Sequence, residues 1–98
     1  MSFDAKRISG KKAQKLVEKG AILIDVRDPV SFRDGSLPGA VNLSLRQLTT
    51  LVREPKDKKL IFFGSSETDE TLKIAINYAY QFGFMEVFSL GTKESWDK

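Results

Sequence analysis

The stretch GSSETDE, Gly64–Glu70, follows directly on the apolar run LIFF. It offers hydroxyls at Ser65, Ser66 and Thr68 and carboxylates at Glu67, Asp69 and Glu70. A hydroxyl becomes a nucleophile only with a base and an oxyanion hole beside it, and the only bases within the stretch are its own carboxylates. The three acids suggest a hard cation, which prefers several oxygen ligands. The placement suggests a third chemistry: an apolar run, a glycine and small hydroxyl residues leading into a helix are how many α/β proteins cradle an anion on backbone N–H groups. The stretch has no Cys, Lys or Arg, so its charge opposes that use. A purely structural role is simpler. Acids in a first helical turn complement the helix dipole by about 0.3–1 kcal/mol each. Ser66 followed by Asp69 resembles a capping box with the shorter acid. No D-x-D-x-D-G pattern with a closing Glu appears, so no metal is assigned to Glu67, Asp69 and Glu70, and no cofactor is expected.

Two absences narrow the chemistry further. The 98 residues contain no cysteine and no histidine. Disulfides, thiolate nucleophiles and Cys/His zinc sets are excluded within them, as is imidazole acid–base work near neutral pH. The formal charge is +3, and it is uneven. Lys6, Arg7, Lys11, Lys12, Lys15 and Lys19 outweigh Asp4 and Glu18 near the start. Such a face suits an acidic partner, nucleic acid or a membrane surface, or it is a solvated helix face. No aromatics alternate with the lysines to stack bases, so no nucleic acid is expected. No apolar run spans a bilayer and no leader pattern is seen, so no membrane is expected and a cytoplasmic location is.

The candidate loop needs elements to hold it. Length and composition suit one domain over residues 1–98. Ser9 is placed to cap a first helix with an apolar stripe of Ala13, Leu16 and Val17, and Gly20 to end it. Lys11 and Lys12 then oppose that helix's dipole in its first turn. Ala21–Val26 and Leu60–Phe63 are short runs apolar on both faces, as in central parallel strands. Asp28-Pro29 starts a short helix anchored by Phe32. Leu37–Ala40 is a turn and Val41–Leu43 a brief strand. Ser44 caps a helix carrying Leu45, Leu48, Leu51 and Val52, which Pro55 stops. A helix from about Glu67 to Phe82 presents Leu72, Ala75, Ile76, Ala79 and Phe82, and Gly83 ends it. Met85–Leu90 is the last strand. Trp96, Tyr78 and Tyr80 are expected to be packing residues, although Tyr80 lies off the main apolar stripe, where exposure is open to it. Alternating strands and helices predict an α/β sandwich around a small, mostly parallel sheet. Ligands in such sheets sit at the carboxyl ends of strands, which directs attention to Asp25-Val26-Arg27 and to Gly64–Glu70.

IDVRDPVSFRDGSLPGAVNL, residues 24–43, resembles the signature D-V-R-[DE]-x-x-x-[FY]-x-x-G-H-[IL]-P-G-A-x-N of rhodanese-like domains. Asp25, Val26, Arg27, Asp28, Phe32, Gly35, Leu37, Pro38, Gly39, Ala40 and Asn42 fall in register without a gap. Gly83-Phe84, the strand that follows and Trp96 resemble the family's ending. The resemblance implies a three-layer α/β/α sandwich and, ordinarily, sulfur transfer through a cysteine persulfide in a loop of the form C-x-x-G-x-R-S. That cysteine position falls on Gly64, and a persulfide cannot form on a glycine. The arginine position falls near Asp69 or Glu70, which reverses the charge. The interval from Gly64 to Gly83 is also slightly longer than usual, so more than one Cys-to-Gly change separates this loop from the family's. Ser36 stands for the usual His, and Thr92 for a second glycine. The resemblance gives Asp25 and Arg27 a supporting, structural role.

The expected function is therefore a catalytically inactive domain that binds, regulates or interacts with an unknown protein partner. The alternative is a platform that holds a small sulfur or phosphate anion on the backbone of residues 65–69 and uses a partner's thiol. A weaker alternative is cation binding at Glu67, Asp69 and Glu70.

Overall fold

The computed structural model describes residues 5–97. Ile22–Asp25 (β2) and Leu60–Phe63 (β4) form the middle of a five-stranded sheet, flanked by Lys6–Arg7 (β1), Val41–Asn42 (β3) and Val87–Gly91 (β5). The order is β1-β5-β4-β2-β3, and every pairing is parallel. The two apolar runs sit centrally because both of their faces are covered. Ile24 and Phe62 point into one apolar cluster with Leu48, Leu72 and Phe84. Leu23, Ile61 and Phe63 point into another with Ile8, Ala13 and Leu90. The short edge strand β1 has no apolar alternation to announce it.

One face carries Gly10–Glu18 (α1) and the closing 3-10 segment Lys93–Asp97. The other carries Glu70–Gln81 (α3) and the 3-10 segment Leu45–Arg53. This is the α/β/α sandwich expected. Ser9 Oγ accepts from Lys12 N at 3.2 Å and caps α1. Gly20 ends it at φ +105°, with Ala21 N donating to Leu16 O at 2.9 Å. Gly83 ends α3 in the same way, at φ +102°, with Phe84 N donating to Ala79 O at 3.1 Å. Both ends are the left-handed closure that glycine permits. Gly10 has a different reason to be glycine. A Cβ there would lie 2.1 Å from Ser95 O and from Trp96 O, so the α1 backbone packs directly on the closing segment.

Five expectations change. Residues 45–53 wind as a 3-10 helix, because Leu45, Leu48 and Leu51 recur every third residue, the 3-10 period. Val52 falls off that stripe and is exposed. Asp28 Oδ1 does cap Pro29–Asp34 (α2), accepting from Ser31 N at 2.9 Å. Phe32, however, is only half-buried and joins neither apolar cluster, since α2 buries no residue. Tyr78, expected to pack, is exposed and stacks on Phe82, whereas Tyr80 packs against the α3 cluster as expected. The last strand begins at Val87, leaving Met85 77% exposed. Finally, α3 begins at Glu70 and not at Glu67.

Candidate functional site

The carboxyl ends of β2 and β4 lie side by side, with Asp25 in register with Phe63 and Val26 N donating to Phe63 O at 3.1 Å. The two candidate stretches are therefore neighbours.

At the end of β2, Asp25 is fully buried. A buried carboxylate must be paired, and here it is paired several times. Arg27 Nη2 donates to its Oδ2 at 2.7 Å and Arg27 Nε to its Oδ1 at 3.0 Å. Arg27 N donates to Oδ1 at 2.9 Å, and Ser36 Oγ to Oδ2 at 2.8 Å. Arg27 Nη2 also donates to Gly35 O at 2.8 Å, and its guanidinium lies 5.8 Å from the centre of the Phe63 ring. Asn42 Nδ2 ties Asp25 O and Arg27 O together at 3.0 and 2.8 Å. Burial pushes the Asp25 carboxyl up, but the hydrogen bonds from Arg27 and Ser36 outweigh it and hold the group below its ordinary value. The same bond to Asp25 raises Arg27 further. All of these contacts are internal. The network ties the segment from Gly35 to Asn42 to the end of β2, beside Gly64. Ser36 is a member of this network through its bond to Asp25.

At the end of β4, Gly64 N donates to Gly91 O at 2.9 Å, and the chain bends through Ser65–Thr68 before α3. Asp69, and not Ser66, is the N-cap. Its Oδ1 accepts from Thr71 N at 2.9 Å, while its Oδ2 turns back to accept from Ser65 N at 3.1 Å. Ser66 contributes only its backbone oxygen, which accepts from Asp69 N at 3.2 Å. The carboxylate thus lies across the mouth of the loop, against the backbone that would face an anion. A Cβ built on Gly64 would stand 2.8 Å from Asp69 Oδ2. The carboxylate partly occupies the space that a side chain at position 64 would take.

The three acids do not converge. Glu67 pairs with Arg7 Nε, Asp69 closes the loop, and Glu70 sits exposed in the first turn of α3. Among the described residues, no group of three such side chains is placed to hold a metal ion. Ser65, Ser66 and Thr68 are exposed. Sequence reasoning missed Arg7, which also donates to Ser95 Oγ at 3.1 Å and to Ile8 O. The pair it forms with Glu67 spans sixty positions, so no local pattern pointed to it.

The chain is thus a small α/β/α sandwich on an all-parallel sheet, with the candidate loop running from the end of a central strand into a helix. A model of the rhodanese-like domain matches residues 9–97, and the chain belongs to that family. It is 36% identical to the thiosulfate sulfurtransferase GlpE of Pseudomonas syringae pv. syringae (strain B728a), covering 93% of this chain and 86% of that protein. Among solved structures, the BH2092 protein of Bacillus halodurans superposes with a TM-score of 0.76 at 21% identity, over 95% of this chain and 72% of that one. The single-domain sulfurtransferase RDL2 of Saccharomyces cerevisiae gives 0.74 at 21% identity, over 98% and 91%. Among the described residues no helix is long and apolar enough to cross a membrane.

Proposed function

We propose that this chain is a catalytically inactive rhodanese-like domain that serves as a binding or protein-interaction module. The observation that carries the proposal is the Asp69 carboxylate lying over Gly64 and bonded to Ser65 N and Thr71 N. The GlpE relatives are named thiosulfate sulfurtransferases. Sulfur transfer through a persulfide needs a thiolate and a site that welcomes anions. This loop has glycine where the thiolate would sit and supplies its own anion to the backbone donors. The same carboxylate weighs against a platform for sulfur or phosphate anions, because a second anion would meet it at close range. The divergence of Glu67, Asp69 and Glu70 weighs against a cation site. The test is thiosulfate:cyanide sulfur transfer. No thiocyanate above a no-protein control is expected, and formation proportional to protein concentration would overturn the proposal.

A further inference from the structure

We infer that the lysine-rich end of the sheet, opposite the Gly64 loop, docks an acidic segment of a partner protein through an apolar side chain. The inference names a surface for the interaction role proposed above and rests on that reading.

Lys59 and Glu86 immediately precede β4 and β5, and Lys6 opens β1, so these residues gather at the amino end of a parallel sheet. There they border a hollow of about 440 Å³. Its apolar lining is Leu16, Met85, Val87 and Phe88, joined by Tyr80. Leu16 also lines two adjoining hollows, one walled by Lys11, Lys12, Lys15 and Lys19. Leu16 is thus common to three neighbouring hollows, each bordered by lysines.

Most of the charge on this edge has no carboxylate partner among the described residues. Among the described residues, the ion pair formed here is Lys59 with Glu86, at 3.6 Å, while Lys6, Lys11, Lys12, Lys15 and Lys19 have no carboxylate partner. Lys11 and Lys12 also stand in the first turn of α1, which has no acid. Cations there oppose the helix dipole, so local helix stability does not account for them. Met85, which also lines the hollow, is a 77% exposed apolar side chain.

This chemistry selects the occupant. Charge complementarity calls for an acidic ligand. The apolar lining calls for a ligand that also carries an aliphatic side chain, which a phosphate backbone lacks. The aromatic residues lining the hollow are the half-buried Tyr80 and the buried Phe88, unlike the exposed platforms that stack single-stranded bases. An acidic peptide segment with interspersed leucines meets both requirements.

The test uses the whole chain and a fluorescein-labelled peptide, Glu-Asp-Leu-Glu-Asp-Leu-Glu-Glu, followed by fluorescence anisotropy at low salt. Its controls are the same peptide with serine for leucine and an oligothymidylate of equal charge. The leucine peptide is expected to bind at least about fivefold tighter than the serine peptide, and K11E/K12E to weaken it by about tenfold or more. Met85→Ser is expected to narrow the gap between the two peptides. The doubly reversed variant places glutamates where the α1 dipole favours them, so its melting temperature is expected to hold or rise, which separates lost binding from lost folding. Failure of the leucine peptide to bind, equal binding of both peptides, an unchanged affinity in K11E/K12E, or tighter binding of the oligothymidylate would each overturn the inference. Sulfur transfer reads the opposite end of the sheet, so either result stands without the other.

Discussion

Replacing Asp69 with alanine removes one carboxylate that holds two backbone donors. The bond to Thr71 N is the N-cap of α3, and losing such a cap costs about 1 kcal/mol. The bond to Ser65 N lies in an exposed loop where water replaces it, so its loss adds about 0.5–1 kcal/mol. The sum of about 1.5–2 kcal/mol corresponds to a fall in Tm of roughly 6–16 °C for a domain of this size. Asp69→Asn is the control. Asparagine caps as well as aspartate, so it is expected to keep most of the stability while removing the charge. Melts followed by circular dichroism, in sodium sulfate and in sodium chloride at matched ionic strength, then report on the vacated donors. Sulfate stabilises most folded proteins by exclusion, so the informative quantity is the difference between variants. Asp69→Ala is expected to gain more from sulfate than the wild type, because an anion that binds the native state raises its stability. An Asp69→Ala protein melting within a degree or so of the wild type would refute the capping geometry. Equal gains from sulfate in both proteins would refute the claim that Asp69 fills the loop.

Gly10→Ala tests the close packing of α1 on the closing segment. Inside an ordinary helix this change stabilises by about 0.5–1 kcal/mol. Here the Cβ meets two backbone oxygens at 2.1 Å, so a loss of about 1–3 kcal/mol in urea unfolding is expected, and the sign decides. Asp25 sets the acid limit of stability. Its folded carboxyl lies below the ordinary 3.8, so its contribution is complete above that value and is lost as pH falls through the lower folded value. Asp25→Asn is expected to melt well below the wild type at neutral pH, because Arg27 loses its buried partner. Its stability is also expected to fall less than that of the wild type as pH drops below about 4. Gly64→Cys alone is expected to give no sulfur transfer, since the new side chain meets Asp69 Oδ2 and the carboxylate opposes a thiolate. Appreciable thiocyanate production by that single variant would show the loop to be more permissive than its geometry implies.

Much of the scaffold was legible because its signals are local. LIFF and AILIDV read as central strands by being apolar on both faces, and Ser9, Gly20 and Gly83 marked helix ends by conformational preference. The motif from Asp25 to Asn42 drew attention to Asp25 and Arg27, whereas Ser36 stood out only as a departure from the pattern and its bond to Asp25 was not legible. What was not legible depends on position in space. The choice between Ser66 and Asp69 as cap turns on where α3 begins, and a shift of three residues redirects the carboxylate from the helix into the loop. Arg7 reaches Glu67 only because β1 joins the sheet beside β5, through a strand too short to show a period. Leu45, Leu48 and Leu51 fit a three-residue period as well as a helical stripe, and only the exposure of Val52 separates the two.

The most direct test of a loop closed on its own carboxylate is an anion titration followed at the backbone. In the ¹⁵N-labelled wild-type protein, the amide resonances of Ser65 and Thr71 are expected to stay in place as thiosulfate or phosphate is raised at constant ionic strength, because both N–H groups already donate to Asp69. Saturable shifts of those two amides would contradict the account, since they would mean that the loop still takes an external anion with Asp69 in place.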